Sequence, residues 1–210
     1  TKYIQNEFPG LPLSVFGHSM GTMIIRYYLQ THDNPYQKVI LNGGGYTDLK
    51  GINIGIFIGK FLCLFKAKKP SKFFDNLFRQ TQYKILEKTQ IDHFIEWLTR
   101  DKEKTEINKQ DPFLFIRLAT RSFLVNLLMI KYINRIDHIL DTNLDSPILL
   151  LSGSHDPATN FGEGIIALDA LYQKAGIQSQ FIIYEEGRHD TLQEINREEV
   201  FKDILQFLEG

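Results

Sequence analysis

Four short apolar runs, each ended by glycine or acidic residues and separated by longer segments, constrain this chain more than any other feature. Leu11–Phe16 leads into Gly17-His18-Ser19-Met20-Gly21, and Lys38–Leu41 stops at Asn42-Gly43-Gly44-Gly45. Pro147–Leu151 stops at Ser152-Gly153, and Gln180–Tyr184 stops at Glu185-Glu186. Apolar runs of this length without polar alternation suit strands buried on both faces. A helix is predicted over Thr22–Gln30. Ile165, Ile166, Leu168, Ala170 and Leu171 in Gly162–Lys174 have largely helical spacing, as do Val200, Phe201, Ile204, Leu205 and Leu208 in Glu198–Leu208. Strands alternating with helices predict a mostly parallel sheet with helices on both faces, a three-layer α/β architecture.

Residues 46–145 break the alternation. They lack clear strands, are rich in Phe, Lys, Leu and Ile, and carry turn signals at Lys69-Pro70-Ser71, Asp111-Pro112 and Asp145-Ser146-Pro147. They read as a helical insertion in a core made of residues 1–45 and 146–210. The longest apolar stretch, Ile52–Phe65, contains Lys60 and falls short of the roughly 18 residues that span a bilayer. Lys66, Lys68, Lys69 and Lys72 follow it. It is either core packing beneath a solvated lysine run, or a helix that lines an acyl-chain tunnel while its lysines touch an anionic membrane surface.

Lys and Arg number 24 against 25 Asp and Glu, a formal net charge of −1, which gives no field to hold nucleic acid. Cys63 is the one cysteine and cannot form an intrachain disulfide, which suits a reducing, cytoplasmic setting. With no basic partner nearby in sequence it reads as a small buried hydrophobe. No Cys or His cluster has metal-ligand spacing. The start, Thr1–Phe8, has neither a methionine nor the pattern of a signal peptide, so further chain is expected upstream.

Gly17-His18-Ser19-Met20-Gly21 has the form Gly-x-Ser-x-Gly between a strand and a helix, the context of a nucleophile elbow. Glycines at 17 and 21 would let strand and helix pack around a strained Ser19. A serine hydroxyl is a weak nucleophile. It needs a basic histidine, and the histidine needs a carboxylate to fix its tautomer. Asp156 follows the third strand in Ser152-Gly153-Ser154-His155-Asp156-Pro157, and His189 follows the fourth in Glu185-Glu186-Gly187-Arg188-His189-Asp190. Both are at strand carboxyl ends, where open α/β sheets build their sites. His155 precedes Asp156 and is a weaker candidate base; Asp190 and Asp48 are weaker candidate acids. His32, His93 and His138 read as surface or packing residues. Trp97 and the aromatic-rich Phe113–Phe123 region read as packing first and ligand contact second.

Ser19, Asp156 and His189 follow the chain order of the α/β-hydrolase triad. At these motifs, and at Trp97-Leu98-Thr99-Arg100-Asp101 in the insertion, the sequence resembles the monoacylglycerol lipase and lysophospholipase-like branch of the α/β-hydrolases, also grouped with serine aminopeptidase-like hydrolases. The resemblance implies that the insertion is a lid or cap, that substrates are acyl esters such as monoacylglycerols or lysophospholipids, and that no cofactor takes part. After the histidine the family often has a glutamate where this chain has Asp190, followed by another acidic residue that Glu194 could match. The family's strands before the nucleophile strand, and its His-Gly oxyanion loop, have no counterpart here. The Met20 backbone N–H is therefore the one oxyanion donor that can be named. The expectation is the carboxyl-terminal part of a longer protein; the alternative is a piece that self-associates, as a homodimer, through its exposed strand edge. A peptidase or small-ester hydrolase with the same triad, and a catalytically silent binding protein, remain open.

Overall fold

The computed structural model describes residues 1–72, 74, 76, 94–114, 118–142 and 144–210, so the expectation for His93 lies outside the described residues. A short helix, α1 (Lys2–Glu7), precedes β1 (Ser14–His18), α2 (Met20–Thr31) and β2 (Lys38–Asn42). Between β2 and the next strand come α3 (Ile52–Lys66), a 3-10 turn at Phe94–Trp97, α4 (Lys102–Gln110), α5 (Thr120–Ile133) and α6 (Ile136–Leu140). The chain then runs through β3 (Ile148–Gly153), α7 (Glu163–Lys174), β4 (Ser179–Tyr184) and α8 (Arg197–Glu209).

The four strands form one parallel sheet in the order β1-β2-β3-β4, with Val39 opposite both Val15 and Ile148, and Leu150 opposite Phe181. Because side chains alternate along a strand, the sheet has two apolar faces. Val39, Leu41, Ile148 and Leu150 pack with Leu29 of α2, Ile139 of α6, and Ile165, Leu168 and Tyr172 of α7. Ile40, Leu149 and Leu151 pack on the other face with Val200, Ile204 and Phe207 of α8. This is the three-layer arrangement expected from the alternation. Each fully buried aliphatic side chain among them contributes about 1.5–3 kcal/mol.

The strands and helices agree with the sequence expectations to within a few residues at their ends. The short α1 was not foreseen; it buries none of its residues, and so has no apolar periodicity to detect. β1 is at the edge of the sheet, with Phe16 of that strand and Ile24 and Tyr27 of α2 exposed.

The regular elements described between β2 and β3 are helices; the one bridge among the described residues there is an isolated antiparallel pair, Pro70 with Ala119. The segment is tied to α2 by Arg26. The buried guanidinium donates to the carbonyls of Gly45 and Ile133 and to Asn134 Oδ1. These last two acceptors lie at the carboxyl end of α5, where helix carbonyls favour a cation. In α3 only Ile56 and Gly59 are buried, while Ile54, Phe57, Phe61, Leu64 and Phe65 are exposed. Core packing of the whole stretch is therefore not what the structure shows. No helix among the described residues is long and apolar enough to cross a membrane.

Candidate active site

Ser19 follows β1 directly and caps α2, with φ 52° and ψ −117°. A positive φ is strained for a serine, costing on the order of 1–3 kcal/mol, and persists only when the surroundings hold it. Here they do so from both sides. The Ser19 N–H donates to the Asn42 carbonyl at 2.9 Å, and the Ser19 carbonyl accepts from the Thr22 N–H at 3.0 Å and its hydroxyl at 2.7 Å. A Cβ on Gly17 would meet the Gly21 carbonyl at 2.9 Å, so residue 17 must be glycine for strand and helix to pack. The same argument fails at Gly21, where an added Cβ would meet nothing within 4 Å.

Asp156 is fully buried in the turn after β3. Its side chain accepts the Ala158 N–H at 2.8 Å, capping the 3-10 turn Pro157–Thr159. The strand-end loops are joined there, because the His155 N–H donates to the Gly187 carbonyl at 2.8 Å. His189, almost fully buried, lies beyond that junction. Its Nδ1 is 3.0 Å from both Asp156 carboxylate oxygens, and its Nε2 is 2.8 Å from Ser19 Oγ. An ionised carboxylate only accepts, so Nδ1 carries the proton and Nε2 turns its lone pair to the serine hydroxyl. The structure thus brings the three candidate residues into one hydrogen-bonded chain.

The imidazole is closely enclosed. Trp97 stacks on it, with ring centroids 4.4 Å apart and planes 26° apart, and His18 lies at 4.9 Å and 48°. Gly43, at φ +68°, approaches so closely that a Cβ would fall 2.9 Å from His189 Cε1. His18 is itself held by a relay: the Thr191 hydroxyl donates to Asn42 Oδ1 at 2.9 Å, and Asn42 Nδ2 donates to His18 Nδ1 at 3.0 Å. Burial, then the nearby His189, lowers the His18 pKa below 6.5.

The weaker candidates are elsewhere. His155 is exposed, Asp48 is exposed and pairs with Lys50, and Asp190 accepts from Gln193. His32 stacks on Tyr28 and His138 packs on Tyr132. Sequence reasoning missed His18, Asn42, Gly43 and Thr191 as parts of the site. The only signal for His18 was its place in Gly-x-Ser-x-Gly. Among the described residues no group of three or more His, Cys, Asp or Glu side chains is placed to hold a metal ion.

Over residues 1–196 the sequence matches the hydrolase family described as serine aminopeptidase, S33. The chain belongs to that family. This S33-family hydrolase superimposes on the highly thermostable carboxyl esterase of Bacillus coagulans with a TM-score of 0.89 and 26% identity, covering 100% of this chain and 68% of the esterase. A soluble variant of the Saccharomyces cerevisiae monoglyceride lipase gives a TM-score of 0.69 at 19% identity, covering 99% of this chain and 65% of that one. The Paleococcus ferrophilus monoacylglycerol lipase gives 0.67 at 17%, covering 99% and 71%. No curated protein sequence matches the chain. Family and superposition together identify the fold as that of the α/β-hydrolases.

Proposed function

We propose that this S33-family hydrolase cleaves carboxylic esters of acyl lipids, of monoacylglycerol or lysophospholipid type, through an acyl-enzyme on Ser19. The observation that carries the proposal is the unbroken chain from the Asp156 carboxylate through His189 to Ser19 Oγ. As Oγ attacks the ester carbonyl carbon, its proton passes to His189 Nε2, and Asp156 stabilises the imidazolium at Nδ1. The carbonyl oxygen gains negative charge. The Met20 N–H, first in α2 and without an intrahelical partner, is the donor assigned to it. His189 then returns the proton to the leaving alcohol, and water repeats the cycle to free the acid. The chemistry asks for no cofactor.

The substrate class draws support from the carboxyl esterase, which is 26% identical in an alignment that covers the whole of this chain. It also draws support from α3. Ile54, Phe57, Phe61, Leu64 and Phe65 form an exposed apolar stripe, flanked by Lys60 and Lys66. We read residues 46–145 as a cap whose stripe meets an acyl chain, with lysines suited to an anionic membrane surface. The family description favours a second reading, a peptidase with the same triad.

Hydrolysis of p-nitrophenyl esters of increasing acyl length, beside a panel of aminoacyl amides, separates the two. Ester turnover that rises with acyl length, and drops on the order of 10⁶-fold in Ser19→Ala, is the expected result. Preference for the amides would replace the ester reading. No turnover, together with no labelling of Ser19 by a fluorophosphonate, would leave a catalytically silent fold.

A further inference from the structure

The ring assigned as the base is braced from outside the core. Trp97 belongs to the segment between β2 and β3, yet its carbonyl accepts the His189 backbone N–H at 3.3 Å, and the next carbonyl, Leu98, accepts the Asp190 N–H at 2.8 Å. The Thr99 hydroxyl donates to the Gln193 carbonyl at 2.8 Å, and Arg188 donates to the carbonyls of Glu96 and Thr99. Two pieces of backbone are thereby locked together, and the indole is fixed on the imidazole face. Trp97 is 5% exposed, and its Nε1 has no hydrogen-bond partner among the described residues. A buried N–H left unpaired carries a desolvation cost that a phenyl ring at this position would avoid. What the indole offers in return is the aromatic face with the strongest attraction for a cation.

We propose that Trp97 is a positioning residue for the reaction: its indole holds the His189 ring in line between Asp156 and Ser19 and stabilises the imidazolium formed as Ser19 attacks. The inference rests on the triad reading above. The proton that charges the ring is the Ser19 hydroxyl proton, taken up at Nε2 as the Oγ–carbon bond forms. Asp156 meets the resulting charge at the ring edge, and the indole meets it at the ring face. Other groups that bear on this charge are His18, 4.9 Å away between centroids, and the chain neighbours Arg188 and Asp190. Through Trp97 the insertion takes part in the chemistry as well as covering it.

Trp97 is the chain's one tryptophan, so biosynthetic incorporation of fluorinated tryptophans alters this ring alone. Fluorine draws electron density from the face and nearly preserves the shape. Because Nε1 makes no bond among the described residues, no donor contact changes with it. With a p-nitrophenyl ester, kcat is expected to fall stepwise with fluorine number, by roughly 2- to 30-fold across the series, while KM holds. Trp97→Phe, whose π face is weaker, should lose kcat to an extent within the fluorinated series, and Trp97→Leu, equally apolar but without a π face, should lose more. A kcat that is flat across the fluorinated series, with Leu matching Phe, overturns the inference and leaves Trp97 a packing role. The two failures are distinct. Turnover that survives Ser19→Ala sinks the reading of Ser19 as the nucleophile, and with it the triad, whereas Ser19-dependent turnover indifferent to fluorination sinks only the role of Trp97.

Discussion

Single atoms around His189 decide what the site tolerates. Gly43 has both a positive φ and no room for a Cβ beside the imidazole, so Gly43→Ala must strain the backbone or push the ring off Ser19. Steady-state kinetics of that variant should show kcat reduced about tenfold or more, since a displacement near 1 Å can cost about a hundredfold. Asp156→Asn keeps the shape but presents an amide to Nδ1, favouring the wrong tautomer; kcat should fall roughly 10⁴-fold with little change in KM. His18 adds a pH effect on stability. Its folded pKa lies below the 6.5 of the unfolded chain, chiefly through burial, so between those values the unfolded state binds more protons. Stability therefore falls as pH drops through that window. The groups bearing on His18 there are His189, Asp190, Asp156 and Asn42. Thermal melts of His18→Asn should show a shallower acid-side loss of Tm than the parent; equal slopes would remove His18 as its source.

Between elements, the loop after β4 and the segment around Trp97 are joined by one buried acid. Glu194 accepts from the Arg100 backbone N–H at 3.1 Å and from its Nε at 2.9 Å, and from the backbone N–H groups of Arg188 and Ile195 at 2.9 and 3.2 Å. Its carboxylate thus receives four donors, and the Arg100 pair is largely shielded from water. Glu194→Gln turns an NH₂ group toward some of those donors and takes the buried carboxylate from Arg100, whose remaining carboxylate partner among the described residues is the exposed Glu186. A loss of roughly 3–5 kcal/mol is expected, read as a lower denaturant midpoint, with kcat falling as the His189 loop loosens. Asp190, at the position where the family often has a glutamate, has no comparable part, because among the described residues its side chain accepts locally from Gln193.

At the scale of the sheet formed by the described residues, β1 and β4 are the two edges, with Phe16 and Phe181 exposed. In these 210 residues the β1 edge is unpaired, and an unpaired apolar edge is a template for pairing. For residues 1–210 alone, concentration-dependent self-association in sedimentation experiments is expected, weakened by Phe16→Lys; a monomer at all concentrations would rule out pairing of this piece through the β1 edge. The strands and most core helices were legible in the sequence because burial on a parallel sheet imposes apolar runs, and helices against it impose a periodic stripe. The three residues of the Ser19–His189–Asp156 chain were legible because that chemistry fixes residue types, chain order and strand-end placement. The structure is what joins them at hydrogen-bonding distance, and their catalytic role is left to the kinetic tests. Other features left no such trace. α3 has the composition of a buried helix, yet exposes five large apolar side chains, since composition does not say whether a neighbour will cover a face. The space beside Gly21 depends on what lies next to the elbow, which its motif does not encode. Sequence by itself determined the local geometry and the chemical inventory, both of which are written in near neighbours. Only the tertiary structure decided that Trp97, His18 and Gly43 enclose one imidazole, because those contacts join distant stretches of chain through packing that no periodicity records.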